Sequence, residues 1–331
     1  MVIMGASHSH VLGETLSDPI EKGYRRSRFD VSNRVDVTRV SCVSKEVCDL
    51  FSRCYPKYSC LRIEQAFDDF QAIYQGDNPY YHACETEYHN IQHVLDVTLA
   101  TMRLIDGYEK THWGEARLGP LRTIVGLITA LFHDVGYIRE IDDKLHQNGA
   151  EYTKVHVTRS GWFLKSYLIC VGMPQEAEII QQLVQFTGYE RPVECIRMTD
   201  PLYQQLGFIV GSADVIAQMA DRAYLEKCRD YLYPEFEKGG LTTVLDQNGE
   251  EQVIFHSETE LLEKTPEFIQ RTVETRLKGS FRSAFRYAES HFEGPNLYMV
   301  ALEKNSSYLE TLIADQVPLL LRRKEHIKTC L

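Results

Sequence analysis

His133 and Asp134 are adjacent at the end of the apolar run Leu127-Ile128-Thr129-Ala130-Leu131-Phe132. An imidazole and a carboxylate at the end of a buried segment need partners, and a divalent cation satisfies both. Upstream, Tyr88-His89-Asn90-Ile91-Gln92-His93 sets two imidazoles four residues apart. Apolar residues continue at helical intervals through Ile105, so the spacing predicts both rings on one helical face. One ring could bind metal while its neighbour works on substrate. Read alone, such a pair is equally a capped or exposed feature; beside His133-Asp134 it points to metal. Asp214 lies in the small and apolar company of Gly207 to Met219. There an unpaired charge is expensive, which makes it the expected fourth ligand. The alternative is an N-cap, with Ser212 competing for that place.

The donor types fit hydrolytic chemistry. Imidazole and carboxylate suit zinc, manganese and iron, whereas a site completed by carboxylate and water suits magnesium or manganese, so two unlike divalent ions are expected. Water held by such ions ionises near neutral pH. A histidine one turn from the metal can supply the proton that an alkoxide leaving group needs.

The order His, His-Asp, Asp resembles the HD-domain superfamily of metal-dependent phosphohydrolases. The wording of three stretches is similar to class I 3′,5′-cyclic nucleotide phosphodiesterases: Tyr88-His89-Asn90-x-x-His93-x-x-Asp96-Val97, Ala130-Leu131-Phe132-His133-Asp134-Val135, and Ser212-Ala213-Asp214 with the later Glu235-Phe236-Glu237-Lys238-Gly239. Position by position, the resemblance implies that His93, His133, Asp134 and Asp214 ligate metal and that His89 protonates the departing ribose O3′. It further implies that Asp134 bridges two cations whose shared hydroxide attacks phosphorus in line. The implied substrate is a small nucleotide, cyclic in the first instance.

Departures from that pattern concern the second ion and the base. Val135-Gly136-Tyr137 stands where the phosphodiesterases continue with another Asp-His pair, and no purine-clamping glutamine is recognisable in the C-terminal third. HD oxygenases and cyclic-dinucleotide hydrolases add two histidines between His-Asp and the final Asp. Only His146 and His156 lie there, which favours hydrolysis, and His156 is the better candidate to line the site. Gln218 and Asp221 continue a polar stripe from Asp214; Gln218 could read a base edge, or the stripe is a solvated face. Arg139 is a candidate phosphate contact. Asn90 is read as a helix cap. The alternatives to a phosphodiesterase are a nucleotide phosphomonoesterase and a non-catalytic HD module that binds a nucleotide and signals.

The elements that must position these residues read as an all-α, phosphodiesterase-like helical bundle over residues 61–331, preceded by a partly disordered or loosely packed segment 1–60. A small β-hairpin insertion is expected near 241–256, around Asp246-Gln247-Asn248-Gly249. The chain has 331 residues, 44% of them hydrophobic, enough for a full core. Its net charge of −11 excludes a general nucleic-acid binder, since polyanions demand a basic face. Arg122, His133 and Asp134 interrupt the longest apolar stretch, Leu118 to Ile138, so no membrane span is expected. Residues 1–10 lack the pattern of a signal peptide, so a cytoplasmic protein with reduced thiols is expected. Four of nine cysteines, Cys42, Cys48, Cys54 and Cys60, recur every six residues. That step turns a helix by about 240°, so they share no face, and with no CxxC pair present the spacing reads as chance rather than as a metal or redox site. The basic Arg322-Arg323-Lys324 reads as a solvated helix end.

Overall fold

A computed structural model describes residues 25–245 and 250–315. The residues read for a signal peptide, the turn of the hairpin and the basic 322–324 run lie outside them.

The architecture is all-α with one small hairpin. Helix α1 (Val40–Cys54) buries Val43, Val47, Leu50 and Phe51, the spacing of one helical face. Helix α2 (Leu61–Gln75) does the same with Ile63, Phe67, Phe70 and Tyr74, and stops at Gly76, whose φ of 82° is the left-handed conformation that closes a helix. Helix α3 (Ile91–Thr111) is buried almost all round, which makes it the central element. Around it pack α1, α4 (Gly119–Phe132), α7 (Pro201–Ala220) and α11 (Tyr287–Phe292). Between α4 and α7 the chain forms α5 (His156–Cys170) and α6 (Ala177–Leu183).

Helix α7 is fixed at its start by Asp200, whose side chain accepts from Leu202 N, with Pro201 at the first turn. Gly207 lets it approach Phe186, since a Cβ there would meet the ring at 2.5 Å. After α7 come α8 (Tyr224–Lys227), a π-helical turn and α9 (Tyr233–Lys238). Strands β1 (Thr243–Leu245) and β2 (Glu251–Val253) then pair antiparallel, Thr243 opposite Val253, close to the expected positions. Val244 and Val253 are exposed, so the hairpin stands outside the core. Helices α10 (Glu258–Thr272) and α12 (Leu297–Ala314) pack together and close the core, with α12 also lying on α7.

The expected loose packing of segment 1–60 does not hold for residues 25–60. Val43, Val47 and Phe51 are fully buried. Ahead of α1, the carboxylate of Asp30 takes N–H groups of Ser32, Arg34 and Val35 and pairs with the buried Arg103 of α3 at 2.7 Å. A polar stretch in the sequence is thus a docked one in the fold. Gly114–Tyr137 is apolar enough by length and composition to cross a membrane, but most of that surface is buried inside the protein.

Candidate metal centre

Three of the helices around the core deliver the expected donors to one point. His93 stands in the first turn of α3, His133 caps the C-terminus of α4 with Asp134 next to it, and Asp214 comes from the middle of α7. The Nε2 atoms of His93 and His133 are 3.3 Å apart. Asp134 Oδ2 is 3.2 Å from each of them, and Asp214 Oδ1 is 3.6 Å from the first and 3.7 Å from the second. Ligands about 2.0–2.2 Å from a shared cation are separated by roughly 2.8–3.6 Å, so the donor atoms of His93, His133 and Asp134 need little adjustment to hold one, while Asp214 borders the group from the side of the two imidazoles.

The hydrogen-bond inventory explains why a cation suits this place. His133 Nδ1 lies 2.8 Å from the carbonyl of Ala130, which can only accept, so Nδ1 carries the hydrogen. In the neutral ring Nε2 then presents a lone pair to His93, Asp134 and Asp214. Asp134 Oδ2 is buried, receives a well-angled hydrogen bond from neither imidazole, and has no other partner. Electron-rich atoms therefore converge with too few protons among them, and a divalent ion resolves the shortage. Without one, protonation must serve. Burial alone would depress His133, but Asp134 and Asp214 push it up to about 9. Burial holds His93 below its ordinary value despite Asp134. Burial works to raise Asp134, yet His133 and His93 hold it well below the usual carboxylate range.

Beside the cluster stand two further imidazoles joined by a tyrosine. Tyr137 stacks on His89 at a centroid distance of 4.6 Å and on His156 at 4.3 Å. It comes from the 3-10 turn Val135–Tyr137, where the sequence departs from the Asp-His continuation. Gly136 allows that turn to press against the start of α5, because a Cβ would lie 1.9 Å from the His156 carbonyl. His156 Nδ1 donates to Thr153 O at 2.7 Å, and Nε2 faces Asp134 Oδ1 at 3.7 Å. Burial lowers its pKa, so this too is a lone pair aimed at a carboxylate. Asp134 thus meets His93 and His133 through one oxygen and His156 through the other. His156 lines the site.

His89 Nδ1 lies 2.6 Å from Glu235 Oε2, and Glu235 Oε1 accepts from Tyr88 N at 2.6 Å. Burial opposes protonation of His89, but Glu235, then Asp134 and Asp214, raise its pKa. Exposure separates the two groups: 2% of the His133 side chain is accessible, against 16% for His89 and 17% for His156. The cluster forms the floor and these imidazoles the mouth.

Several expectations change. His89 precedes α3 rather than lying on its face; Asn90 caps the helix by accepting from His93 N, and the two rings still come within 5.6 Å. Asp214 is mid-helix, which rules out capping for it and for Ser212. Gln218 accepts from Tyr88 OH at 3.0 Å and its amide lies 3.3 Å from Asp214 O, so it braces the site and both ends of its amide are engaged. Asp221 is buried and paired with Lys227, so the stripe is not a solvated face. Arg139 makes a bidentate pair with Glu85 and donates to His146 O, leaving no role at phosphate, and His146 itself pairs with Asp143. The sequence alone points to no role for Tyr137, and its only signal for Glu235 is the Glu-Phe-Glu-Lys-Gly stretch in which it lies.

Residues 144–299 match the family model described as Npun_R2479-like. The match includes His156, Asp214 and Glu235 and begins after His133-Asp134. No curated protein and no solved structure matches the chain.

Proposed function

We propose that the protein is a metal-dependent phosphohydrolase of the HD type that cleaves a small phosphodiester, with a 3′,5′-cyclic nucleotide as the first candidate. The observation that carries this reading is the convergence of His93, His133 and Asp134 on one point with an unpartnered buried oxygen and with Asp214 alongside, next to a histidine already paired with a carboxylate. His93, His133, Asp134 Oδ2 and Asp214 would hold one divalent ion; Asp134 Oδ1 and His156 offer donors to a second. When bound, such ions supply Lewis acidity toward phosphoryl oxygens and a water acidified to near neutral pH.

The chain's own groups account for the rest. Glu235 orients His89 through Nδ1 and raises its basicity, which leaves Nε2 as the nitrogen able to carry a proton to a leaving oxygen. Tyr137 fixes the plane of that ring by stacking. A poised acid matters most when an alkoxide departs, so the His89–Glu235 pair favours a diester over an activated monoester. The recessed cluster and the net charge of −11 suit a compact anion whose charge is met locally rather than a polymer.

The test is hydrolysis of cyclic AMP, cyclic GMP and an aryl phosphate monoester by purified protein with manganese or magnesium, beside His133→Ala. Release of nucleoside monophosphate that disappears in the variant supports the diesterase. Turnover of the monoester alone would move the reading to a phosphomonoesterase, and metal-loaded protein inactive on all three would defeat the hydrolase reading.

A further inference from the structure

Two of the six-spaced cysteines meet, although the interval keeps them off a common helical face. Cys48 projects from α1, and the chain turns back so that Cys60, the residue before α2, comes to it; Glu64 follows one turn into α2. The sulfur atoms of Cys48 and Cys60 and a carboxylate oxygen of Glu64 all lie within 4.8 Å of one another. They stand on the wall of a cavity of about 420 Å³ between the two helices, which Ser44, Asp49 and Asp68 also line. Cys48 is buried, Cys60 half-buried and Glu64 exposed, so the donors run from the interior to the solvent. The Cys60 thiol makes no capping bond at the start of α2.

We propose that Cys48, Cys60 and Glu64 form a second metal site, selective for a zinc-class divalent cation and distinct from the histidine-aspartate centre. Two thiolates and a carboxylate are a donor set that zinc accepts, at bond lengths of about 2.3 Å to sulfur and 2.0–2.2 Å to oxygen. A tetrahedral arrangement places sulfurs about 3.8 Å apart, within reach of small side-chain rotations from the present separation. A disulfide would use the two sulfurs and leave Glu64 without a purpose; a cation uses all three donors. Asp68, one turn beyond Glu64 on the same face of α2, lines the same cavity outside the three-donor group, so water would complete the coordination. The consequence is mechanical. Helix α1 packs on α3 and helix α2 on α4, the two helices that carry His93 and His133, so a cation between α1 and α2 would brace the frame of the other centre.

Titration of the full-length, reduced protein with cobalt(II) tests the site, read by the ultraviolet thiolate-to-metal charge-transfer band. No ligand of the histidine-aspartate centre can produce that band. The expected result is a saturable band that persists in His133→Ala, is lost in Cys48→Ser and in Cys60→Ser, and in Glu64→Gln needs more additional metal than the roughly ten- to hundredfold that loss of a supporting residue costs. Zinc should also raise the melting temperature of His133→Ala but not of its Cys60→Ser derivative. Cys60 is only half-buried, so that variant keeps the test decisive should Cys48→Ser not fold. Absence of the band, its survival in Cys60→Ser, or isolation of the pair as a disulfide that excludes metal would overturn the proposal.

Discussion

Among the described residues, two buried clusters bring aspartate and histidine together on the same helix, and they differ in one respect. At the N-terminal end of α3, His93 meets His133, Asp134 and Asp214 with lone pairs facing one another and Asp134 Oδ2 unpartnered. Toward its other end, Asp106 borders a cleft of about 1300 Å³ and has a donor for each oxygen. Cys54 Sγ donates to Oδ1 at 3.5 Å, while His291 Nδ1 at 2.7 Å and Lys110 Nζ at 3.3 Å serve Oδ2. Against the effect of burial, His291 and Lys110 hold Asp106 below its ordinary pKa, while burial holds His291 down. Proximity of His and Asp is common to both clusters. Only the first is short of protons, and that shortage singles it out as the candidate metal centre.

The comparison breaks most directly by removing one member from each cluster. His133→Ala and Asp134→Ala should abolish tight metal binding at the centre and reduce turnover by more than the ten- to hundredfold typical of losing a supporting residue. Asp106→Asn should leave metal content unchanged and turnover within about twofold, an expectation that follows from its satisfied hydrogen bonds. Metal analysis and steady-state kinetics on the same preparations check both. Equal metal loss in both variants would erase the distinction.

Substitutions at the mouth of the centre should separate chemistry from metal binding. His89→Ala should lower kcat on a diester by about 10²–10⁴ with metal retained, the range for loss of a general acid. Glu235→Gln should lower it by about 10–100 and move the alkaline limb of the pH profile to lower pH, because the carboxylate that raises His89 is gone and the acid loses its proton sooner. An unchanged pH profile in Glu235→Gln would remove His89 as the proton donor.

Buried and more exposed ion pairs should differ in what they contribute to stability. Arg103→Met leaves Asp30 buried and unpaired and should cost about 3–5 kcal/mol in denaturant unfolding. Asp30 is held at about 2 against the effect of burial, chiefly by Arg103 and then by Ser32 and Val35, from an ordinary 3.8. Its folded pKa is the lower one. The resulting stabilisation, on the order of 2 kcal/mol, is therefore complete above the unfolded value and lost as pH falls from about 4 through about 2. Arg103→Met should flatten that acid limb. The pair Arg139–Glu85, nearer the surface, should matter least: Arg139→Ala should cost about 1 kcal/mol or less and leave turnover unchanged.

Residue type and spacing made the floor of the candidate site legible. His93, His133, Asp134 and Asp214 were chosen because buried donors of those kinds need a shared partner, and the fold brings them together. The helical class and the hairpin followed from periodicity and turn residues. What stayed hidden depends on long-range pairing. Glu235 reaches His89 across 146 positions and Asp30 reaches Arg103 across 73, and no local pattern encodes either contact. That is why residues 25–60 read as loose although they are docked, and why Arg139, adjacent in sequence to the site, could be misread as part of it. The approach of Cys60 to Cys48 was hidden for a related reason: helical phase excludes a common face on one helix but says nothing of a turn that folds Cys60 back onto Cys48.

Anomalous diffraction from crystals grown with manganese would test the central claim most directly. A peak is expected about 2.2 Å from His93 Nε2, His133 Nε2, Asp134 Oδ2 and Asp214 Oδ1. No peak there, with Asp134 Oδ2 instead accepting a hydrogen bond from a protonated His133, would contradict it.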